Sequence, residues 1–493
     1  MKRFLVAALA VSAISIGGLR AATAPADDRA ITHVLNRIAF GPRPGDVERV
    51  RAIGLDRYVD EQLHPDRIKD EAMRGRLAEL PTAQMSRREI VESIELPQIE
   101  LRRERKQQPN GGDADDPKER NPLRQRANAI VVELAEQKIV RAAYSERQLQ
   151  EVLADFWFNH FNVDSRKGRD RFLVSEYERD VVRPRVLGSF RDLLGATAKS
   201  PAMLFYLDNW MSADPAGPHA PVRAARPFQG RRGREPERVA LQNKNRAKKG
   251  LNENYARELM DLHTLGVDGG YTQKDVTEVA RAFTGWTLEN PRQGGGFTFD
   301  GRLHDPGQKV VLGHVIKAGG GESDGEAVLD ILVEHPSTSR FIASKLVRRF
   351  VSDTPPPALV DRAAARFRET NGDLREVMRT ILRSTEFRSP EVYAVKVKSP
   401  FEFAVSALRA AGAEVAAGER AAAPAFDAKL LVRRIRDMGM ALYQCQPPTG
   451  YGDTAEAWMN GGALVNRINF AIEIARGDRQ LADTLGAPAF QKR

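Results

Sequence analysis

Apolar residues recur at helical spacing along most of this chain, and strand-like alternation is confined to one short region. Segments 124–144 and 146–162 are clear amphipathic helices. Alternating or β-branched residues occur at 297–299 and 309–312, between Gly-rich stretches. The pattern predicts a mainly α fold, a multi-helix globular array with one small β-hairpin insertion at about 289–325.

Stretches without periodicity divide the helical pattern into regions. A polar linker is predicted at 107–122, inside an N-terminal helical region that spans 25–211. Residues 212–249 are rich in Pro, Gly and Arg and predict a basic, exposed, flexible loop. A central helical region with the hairpin follows at 250–390, and a C-terminal helical region at 391–493.

The strongest local signal is an αα-hairpin within residues 250–287. Asn252 is placed to cap the first helix, and Gly266 fits the left-handed position that ends it. Thr272, with Asp275 three residues later, forms an acidic variant of the capping box for the second helix. These signals fix two helix starts and one helix end from local sequence alone.

The composition is typical of a soluble globular protein, and the sequence shows in which segments the positive charge lies. The chain has 493 residues, 42% hydrophobic and 29% charged, and its single cysteine excludes an intrachain disulfide. Of the formal charge of +10, the first twenty residues carry +3 and residues 223–249 carry +8, so the remainder is close to neutral. Nucleic acid is therefore not an expected partner. The basic loop either docks an acidic polysaccharide or anionic membrane surface or is a solvated insertion.

The first 24 residues resemble a secretory signal peptide. Lys2 and Arg3 precede an apolar stretch at 4–16, and Ala22-Thr23-Ala24 fits a cleavage site. An uncleaved anchor is the alternative. We expect a periplasmic or secreted protein with no transmembrane span once the signal is removed.

Histidines and acids in four segments are the candidate chemistry. His160 continues an apolar helix stripe, as a hydrogen-bonded core residue or as a ligand or acid/base group. On a straight helix Glu258 and His263 lie about 140° apart, so they cannot chelate one ion from that helix alone. Asp208 follows an apolar helix, and His304-Asp305 occupies the hairpin loop, where a turn-stabilising role is the alternative.

Six segments together resemble the bacterial domain of unknown function 1800 family. They are ITHVLNRIAFGPRPGDVERV (31–50), FWFNHFNV (156–163), MLFYLDN (203–209), NENYARELMDLHTLGVDGGYTQKDVTEVARAFTGW (252–286), HPSTSRFIASKLVRRFV (335–351) and PPTGYGDTAEAWMN (447–460). The resemblance implies an exported, largely helical bacterial protein. It also implies that members are often encoded beside a second exported family that resembles sulfatases and phosphatases, and it implies no established reaction.

Carried over position by position, the family pattern selects polar residues and one tryptophan. They are His160, Asp208, Asn209, Arg257, Glu258, His263, Asp275, Arg281, Trp286, His304 and Asp305. Trp286 is expected to pack, and the two arginines can neutralise buried carboxylates.

Two functions stay open at this point. The first is an envelope enzyme, in which a His/Glu/Asp pocket hydrolyses a polysaccharide or ester, with a divalent metal as one option. Its catalytic candidates are His160, Glu258, His304 and Asp305; its substrate-binding candidates are Asp208, Asn209, Arg257 and Arg281; its metal candidates are His160, His263 and His304. The second is a non-catalytic envelope scaffold or partner of an exported sulfatase-like protein.

Overall fold

The structure is a computed structural model that describes residues 27–107, 122–217, 250–417 and 426–493. The predicted signal peptide at 1–24 lies outside these ranges, as do residues 108–121 of the predicted linker and residues 218–249 of the predicted basic loop. Helices dominate the described residues, and the mainly α fold is confirmed.

The first two ranges are helical throughout. Their helices span Asp28–Ile38, Asp46–Ile53, Leu55–Gln62, Glu71–Leu77, Pro81–Gln84, Arg87–Ile90, Leu96–Gln107, Pro122–Tyr144, Gln148–His160, Asp170–Glu176, Phe190–Ala198 and Pro201–Tyr206. Short 3-10 turns lie at Pro65–Arg67, Arg183–Arg185 and Asn209–Met211, and π turns at Val91–Glu95 and Tyr177–Val182.

The last two ranges add helices and six short strands. The helices span Glu253–Glu258, Gln273–Ala282, Glu322–Glu334, Pro336–Phe350, Pro357–Glu369, Leu374–Leu382, Thr385–Arg388, Pro400–Ala410, Ala428–Asp437, Ala455–Trp458, Gly461–Ala475 and Arg479–Gly486, with a π turn at Leu259–Thr264 and 3-10 turns at Pro291–Gln293 and Pro390–Val392. The strands are Trp286–Leu288, Phe297–Phe299, Lys309–Val311, His314–Ile316, Val415–Ala416 and Phe426–Asp427.

Strand pairing differs from the sequence prediction. The segments at 297–299 and 309–311 do not pair with each other: Phe297–Phe299 pairs with Trp286–Leu288, and Lys309–Val311 pairs with His314–Ile316, both antiparallel. Lys309–Val311 pairs across the two-residue turn at 312–313, which costs less closure entropy than the connection at 300–308. For Phe297–Phe299 the connections at 289–296 and 300–308 are nearly equal in length, and the aromatic contact of Phe297 with Trp286, with ring centroids 5.3 Å apart, favours the observed partner. The insertion is therefore two small hairpins.

The predicted αα-hairpin is confirmed in its local details. The Asn252 side chain accepts from Tyr255 N, and Thr272 and Asp275 form a reciprocal capping box. Gly266 has a φ of +82°, the left-handed conformation that a side chain disfavours. The first helix departs from the prediction at its end, where Leu259–Thr264 widens into a π turn.

A main apolar core joins the described ranges, and a small second cluster lies around Ile94 and Ile130. The main core draws buried side chains from the Asp28–Ile38 helix at one end of the sequence to the Arg479–Gly486 helix at the other. Trp286, expected to pack, is fully buried in it. No helix in the described ranges combines the length and apolar character that crossing a bilayer requires.

Candidate functional site

A cavity of about 320 Å³ lies where three of the family-like segments meet. Its walls come mainly from the Gln148–His160 helix, the Pro336–Phe350 helix and the loop at 449–454. Because His160 is one of its lining residues, we call it the His160 cavity. Its size falls at the small end of the range that ligand pockets occupy.

The Gln148–His160 helix places two polar side chains in this wall. Its predicted apolar stripe is buried, from Leu149 to Trp157, and packs the helix into the core. Asp155 and His160 are also more than nine-tenths buried, yet both line the cavity. The helix ends at His160, where the N–H of Phe161 closes on the carbonyl of Trp157.

Two asparagines next to His160 hold the facing loop, residues 445–454, here called the anchored loop. Asn159 donates to Tyr451 O at 2.9 Å and accepts from Tyr451 N at 2.7 Å. Asn162 donates to the carbonyls of Cys445 and Pro447, each at 2.9 Å. A Cβ on Gly450 would lie 2.3 Å from the Asn159 carbonyl, so only glycine fits there.

His160 is a neutral imidazole with one free lone pair. Its Nε2 lies 3.2 Å from the carbonyl oxygen of His263, which can only accept, so Nε2 carries the hydrogen. Burial lowers the pKa of His160 well below its usual value, and the nearby charge of Lys345 lowers it further. Nδ1 is then an unprotonated acceptor, and it has no hydrogen-bond partner among the described residues.

Two cations of the Pro336–Phe350 helix line the cavity without ion pairs. Lys345 and Arg348 are three residues apart, so they share one helix face. Within the described ranges neither has a carboxylate within 4 Å, and the buried Nε of Arg348 has no partner. The Lys345 ammonium lies 5.4 Å from the Phe341 ring centroid, and burial lowers the pKa of Lys345 to about 8.

The acidic side chains that line the cavity, in contrast, already form ion pairs with cationic side chains. Asp155 pairs with Lys138 at 2.6 Å, and Asp453 lies 3.4 Å from Arg349. Arg349 also approaches Glu402 at 2.8 Å. The cavity therefore carries an excess of positive charge from the side chains that the acids leave uncovered.

His304 and Asp305 belong to a different, internally paired set of residues. We call this set the hairpin network; it consists of Arg281, His304, Asp305, Lys309 and Asp324. Its side chains form hydrogen bonds and ion pairs with one another. His304 contacts Thr284 O at 2.8 Å and Asp324 at 3.1 Å, and the fully buried Lys309 ammonium lies 2.7 Å from Asp324. Asp305 accepts from Arg281 at 2.6 and 3.1 Å.

In the contacts that the structure gives, Arg257 and Glu258 lie beside neither His160 and His263 nor His304 and Asp305. Arg257 donates to Gln273 at 2.6 Å across the αα-hairpin. Burial raises the pKa of Glu258, and the neighbouring Asp261 raises it further. The π turn at Leu259–Thr264 breaks the straight-helix count, and it turns His263 inward, where burial lowers the pKa of His263 to about 3.

Asp208 and Asn209 have partners of their own. Asp208 adopts a φ of +61° and pairs with Lys167 at 2.7 Å. Asn209 is fully buried and donates to the carbonyls of Phe283 and Trp286, both at 3.1 Å. Asn209 thus ties the end of one helical hairpin to the first strand.

The enzyme hypothesis needs His160, Glu258, His263, His304 and Asp305 to converge in one cleft, but of these only His160 lines the cavity. His263 contacts His160, with ring centroids 6.2 Å apart, and is not itself a lining residue. Glu258, His304 and Asp305 are not among the lining residues. In the part of the chain that the structure describes, no three His, Cys, Asp or Glu side chains are arranged to hold a metal ion. Metal ligation by His160, His263 and His304 stays a prediction.

Sequence reasoning missed the cations Lys345 and Arg348 and the loop-holding Asn159. A signal for them was present, because all three fall within segments that carry the family resemblance. The polar residues selected from these segments included Asn209, Arg257 and Arg281 but no lysine, and they did not include Asn159 or Arg348. An unpaired cation is recognised only when its neighbours in space are known.

The family model described as "protein of unknown function (DUF1800)" matches residues 33–493, nearly the whole chain. The chain belongs to this family, and the family resemblance is confirmed. Neither a curated protein nor a solved structure matches the chain. The family assigns no reaction, so the site has to be interpreted from its own chemistry.

Proposed function

We propose that the protein binds a small acidic ligand, an acidic sugar unit, in the His160 cavity. The observation that carries this function is the pair of cavity-lining cations, Lys345 and Arg348, which lack ion-pair partners in the described ranges. A buried or half-buried cation is costly without an opposite charge, and a ligand carboxylate or sulfate supplies one.

Aromatic side chains support a sugar rather than a free inorganic anion in this cavity. Tyr451 and Trp458 both line it, with ring centroids 5.7 Å apart. Their faces provide apolar surface for the C–H side of a sugar ring, and the cations then fix the orientation of its acidic group.

The lone pair on His160 Nδ1 favours a second function, hydrolysis of an ester of the same acid. Nδ1 would take a proton from water while the water oxygen attacks the ester carbonyl. The oxyanion that forms would lie beside Lys345 or Arg348, and the departing alkoxide would regain the proton from His160. The supporting observation is that the unprotonated Nδ1 of this cavity-lining imidazole has no partner among the described residues. Because burial lowers the pKa of His160, it is a weak base, and the step depends on the cations that stabilise the oxyanion.

Titration of the purified protein with glucuronate and with glucose tests the binding function. Tryptophan fluorescence is a suitable readout because Trp458 lines the cavity. We expect saturable binding of glucuronate, weaker binding of glucose, and loss of the difference in Arg348→Met. Lys317→Met, an exposed lysine elsewhere, is the matched control. Equal affinity for both sugars would refute the proposal.

The hydrolytic function has its own test. The wild-type protein should release p-nitrophenol from a p-nitrophenyl ester of a sugar acid, and His160→Gln should lose this activity. Glutamine keeps an N–H for the His263 carbonyl, so circular dichroism should stay unchanged. Wild-type turnover no faster than buffer leaves only the binding function.

The exported location that residues 1–24 predict belongs to the proposal. N-terminal sequencing of protein purified from the native host checks it. Processing near Ala24 is expected, and a protein that keeps Met1 in the cytoplasm contradicts it.

A further inference from the structure

Behind the His160 cavity, the last described residues bring an arginine into the interior. Residues 491–493 run antiparallel to 396–398: Arg493 N donates to Lys396 O at 2.7 Å, and Lys398 N donates to Gln491 O at 2.9 Å. This backbone pairing fixes the position of Arg493, whose side chain is only 2% exposed.

Three buried guanidinium groups meet there: Arg37, Arg349 and Arg493, here called the arginine cluster. Their exposed fractions are 0%, 5% and 2%. Arg349 and Arg493 share the Glu402 carboxylate, at 2.8 and 3.2 Å. Burial, with the charges of Arg493 and Arg349, lowers the pKa of Arg37 to about 9, although Glu402 and Asp353 act in the opposite direction. Like charges at this depth repel strongly because little water screens them.

Many donors of the arginine cluster lack acceptors among the described residues. Arg37 donates from Nη2 to Val392 O at 2.7 Å, but its Nε and Nη1 have no partner. The Nε of Arg349 is also unpartnered. Arg493 Nε lies 3.2 Å from Glu402, yet none of its three nitrogens is in hydrogen-bonding geometry. Buried donors of charged groups are rarely left unsatisfied in folded proteins.

The nearby carboxylates do not balance the positive charge. Glu402 lies between Arg349 and Arg493, at 2.8 and 3.2 Å. Asp453 reaches the same two arginines at 3.4 and 3.7 Å. Two further acids lie nearby and are paired with lysines: Asp353 with Lys396 at 2.5 Å, and Asp155, 3.8 Å from Arg349, with Lys138 at 2.6 Å. Within the described ranges, Arg37 therefore has no carboxylate within 4 Å.

We propose that a small inorganic anion, a halide or a tetrahedral oxyanion, binds among Arg37, Arg349 and Arg493. It accepts the free guanidinium hydrogens and supplies the missing negative charge. This anion is separate from the ligand of the His160 cavity and does not depend on the proposed function. Its effect is to hold the 491–493 segment to the Asp28–Ile38 and Pro336–Phe350 helices.

Thermal unfolding of the full chain in defined sodium salts tests the site. At constant ionic strength, gluconate, a bulky organic anion, is replaced stepwise by chloride, sulfate or phosphate. We expect a saturable rise in Tm for at least one small anion, and no such rise in Arg37→Met. Arg51→Met, which removes an arginine on the surface of the neighbouring helix, should keep the full response.

Bromide-soaked crystals of the wild-type protein decide the matter if Arg37→Met does not fold. An anomalous peak among the three guanidinium groups supports a halide site, and tetrahedral density from sulfate or phosphate soaks supports an oxyanion site. Density for ordered water alone, with a Tm that is the same in every salt, would overturn the inference.

Discussion

The His160 cavity and the hairpin network gather polar residues from family-like segments, but they differ in how those residues are paired. In the hairpin network, His304, Asp324 and Lys309 contact one another, and Arg281 is held by Asp305. In the cavity, Lys345 and Arg348 line the space without ion pairs in the described ranges. A closed set of partners indicates a structural role, whereas uncovered charge at a cavity indicates a binding role.

The largest expected effect is on the hairpin network. Asp324→Asn removes the carboxylate that lies 2.7 Å from the fully buried Lys309 ammonium. Among the described residues, only the more distant carboxylate of Asp305, at 4.0 Å, then remains for this cation. We expect the free energy of unfolding to fall by about 3–5 kcal/mol in a urea titration. Asp268→Asn, an exposed acid, should change it little. A loss below about 1 kcal/mol for Asp324→Asn would mean that the network is not structural.

Acid should weaken the cavity side through its buried histidines. The pKa of His263 is about 3 in the folded chain against 6.5 as the usual value, because burial disfavours the cation. The unfolded chain therefore takes up a proton below pH 6.5 and the folded chain does not, so stability falls as pH falls from about 6.5 towards 3. At pH 5 this single histidine costs about 2 kcal/mol relative to neutral pH.

His263→Gln should reduce that pH dependence. Urea titrations at pH 7 and pH 5 measure it, with His314→Gln as the control because His314 is exposed on a strand. An unchanged difference between the two pH values in His263→Gln would show that this histidine is not held neutral.

Exchanging one cation in each region separates their roles. Lys345→Met should lower the affinity for an acidic sugar about tenfold, or about 1.4 kcal/mol, without lowering Tm. Tm should not fall because burial already disfavours the Lys345 charge in the folded chain at neutral pH. Arg281→Met should instead lower Tm without changing the affinity for the sugar. It deprives Asp305 and Glu278 of their arginine partner, and it alters no residue that lines the cavity. Calorimetric binding and Tm measurements on both variants check this, and a loss of affinity in Arg281→Met alone would reverse the assignment.

The smallest expected effect concerns the anchored loop. Asn159→Ala removes two hydrogen bonds to Tyr451, and we expect a loss of about 1 kcal/mol in stability with a few-fold loss of sugar affinity. Asn254→Ala, an exposed position on the αα-hairpin, is the control. If affinity is unchanged while the loop becomes sensitive to protease, the loop does not shape the binding site.

Local features of the fold were predictable from sequence, and tertiary features were not. The caps at Asn252 and Thr272 follow from interactions over three residues, so the sequence contains them in full. The π turn at Leu259–Thr264 leaves no comparable local signal, and it altered the geometry expected for His263.

The candidate site depended on pairing between distant segments. His160 was predicted as a site residue, and the structure places it in a cavity whose other walls lie nearly 200 and 300 positions later in the chain. The same segments were identified by the family resemblance. Which of their charges would be neutralised, as Arg281 is, and which would remain uncovered, as Lys345 is, depends on side-chain packing that no local pattern encodes.

The pH dependence of sugar-acid binding tests the central claim most directly. Below a pKa of about 8, Lys345 is charged and attracts the ligand; above it the charge is lost. Calorimetric titration with glucuronate from pH 7 to pH 10 should therefore show affinity falling as pH rises in the wild-type protein, and a flat profile in Lys345→Met. The same profile in both proteins, or no binding of the acid at pH 7, would contradict the assignment of the His160 cavity as an acidic-ligand site.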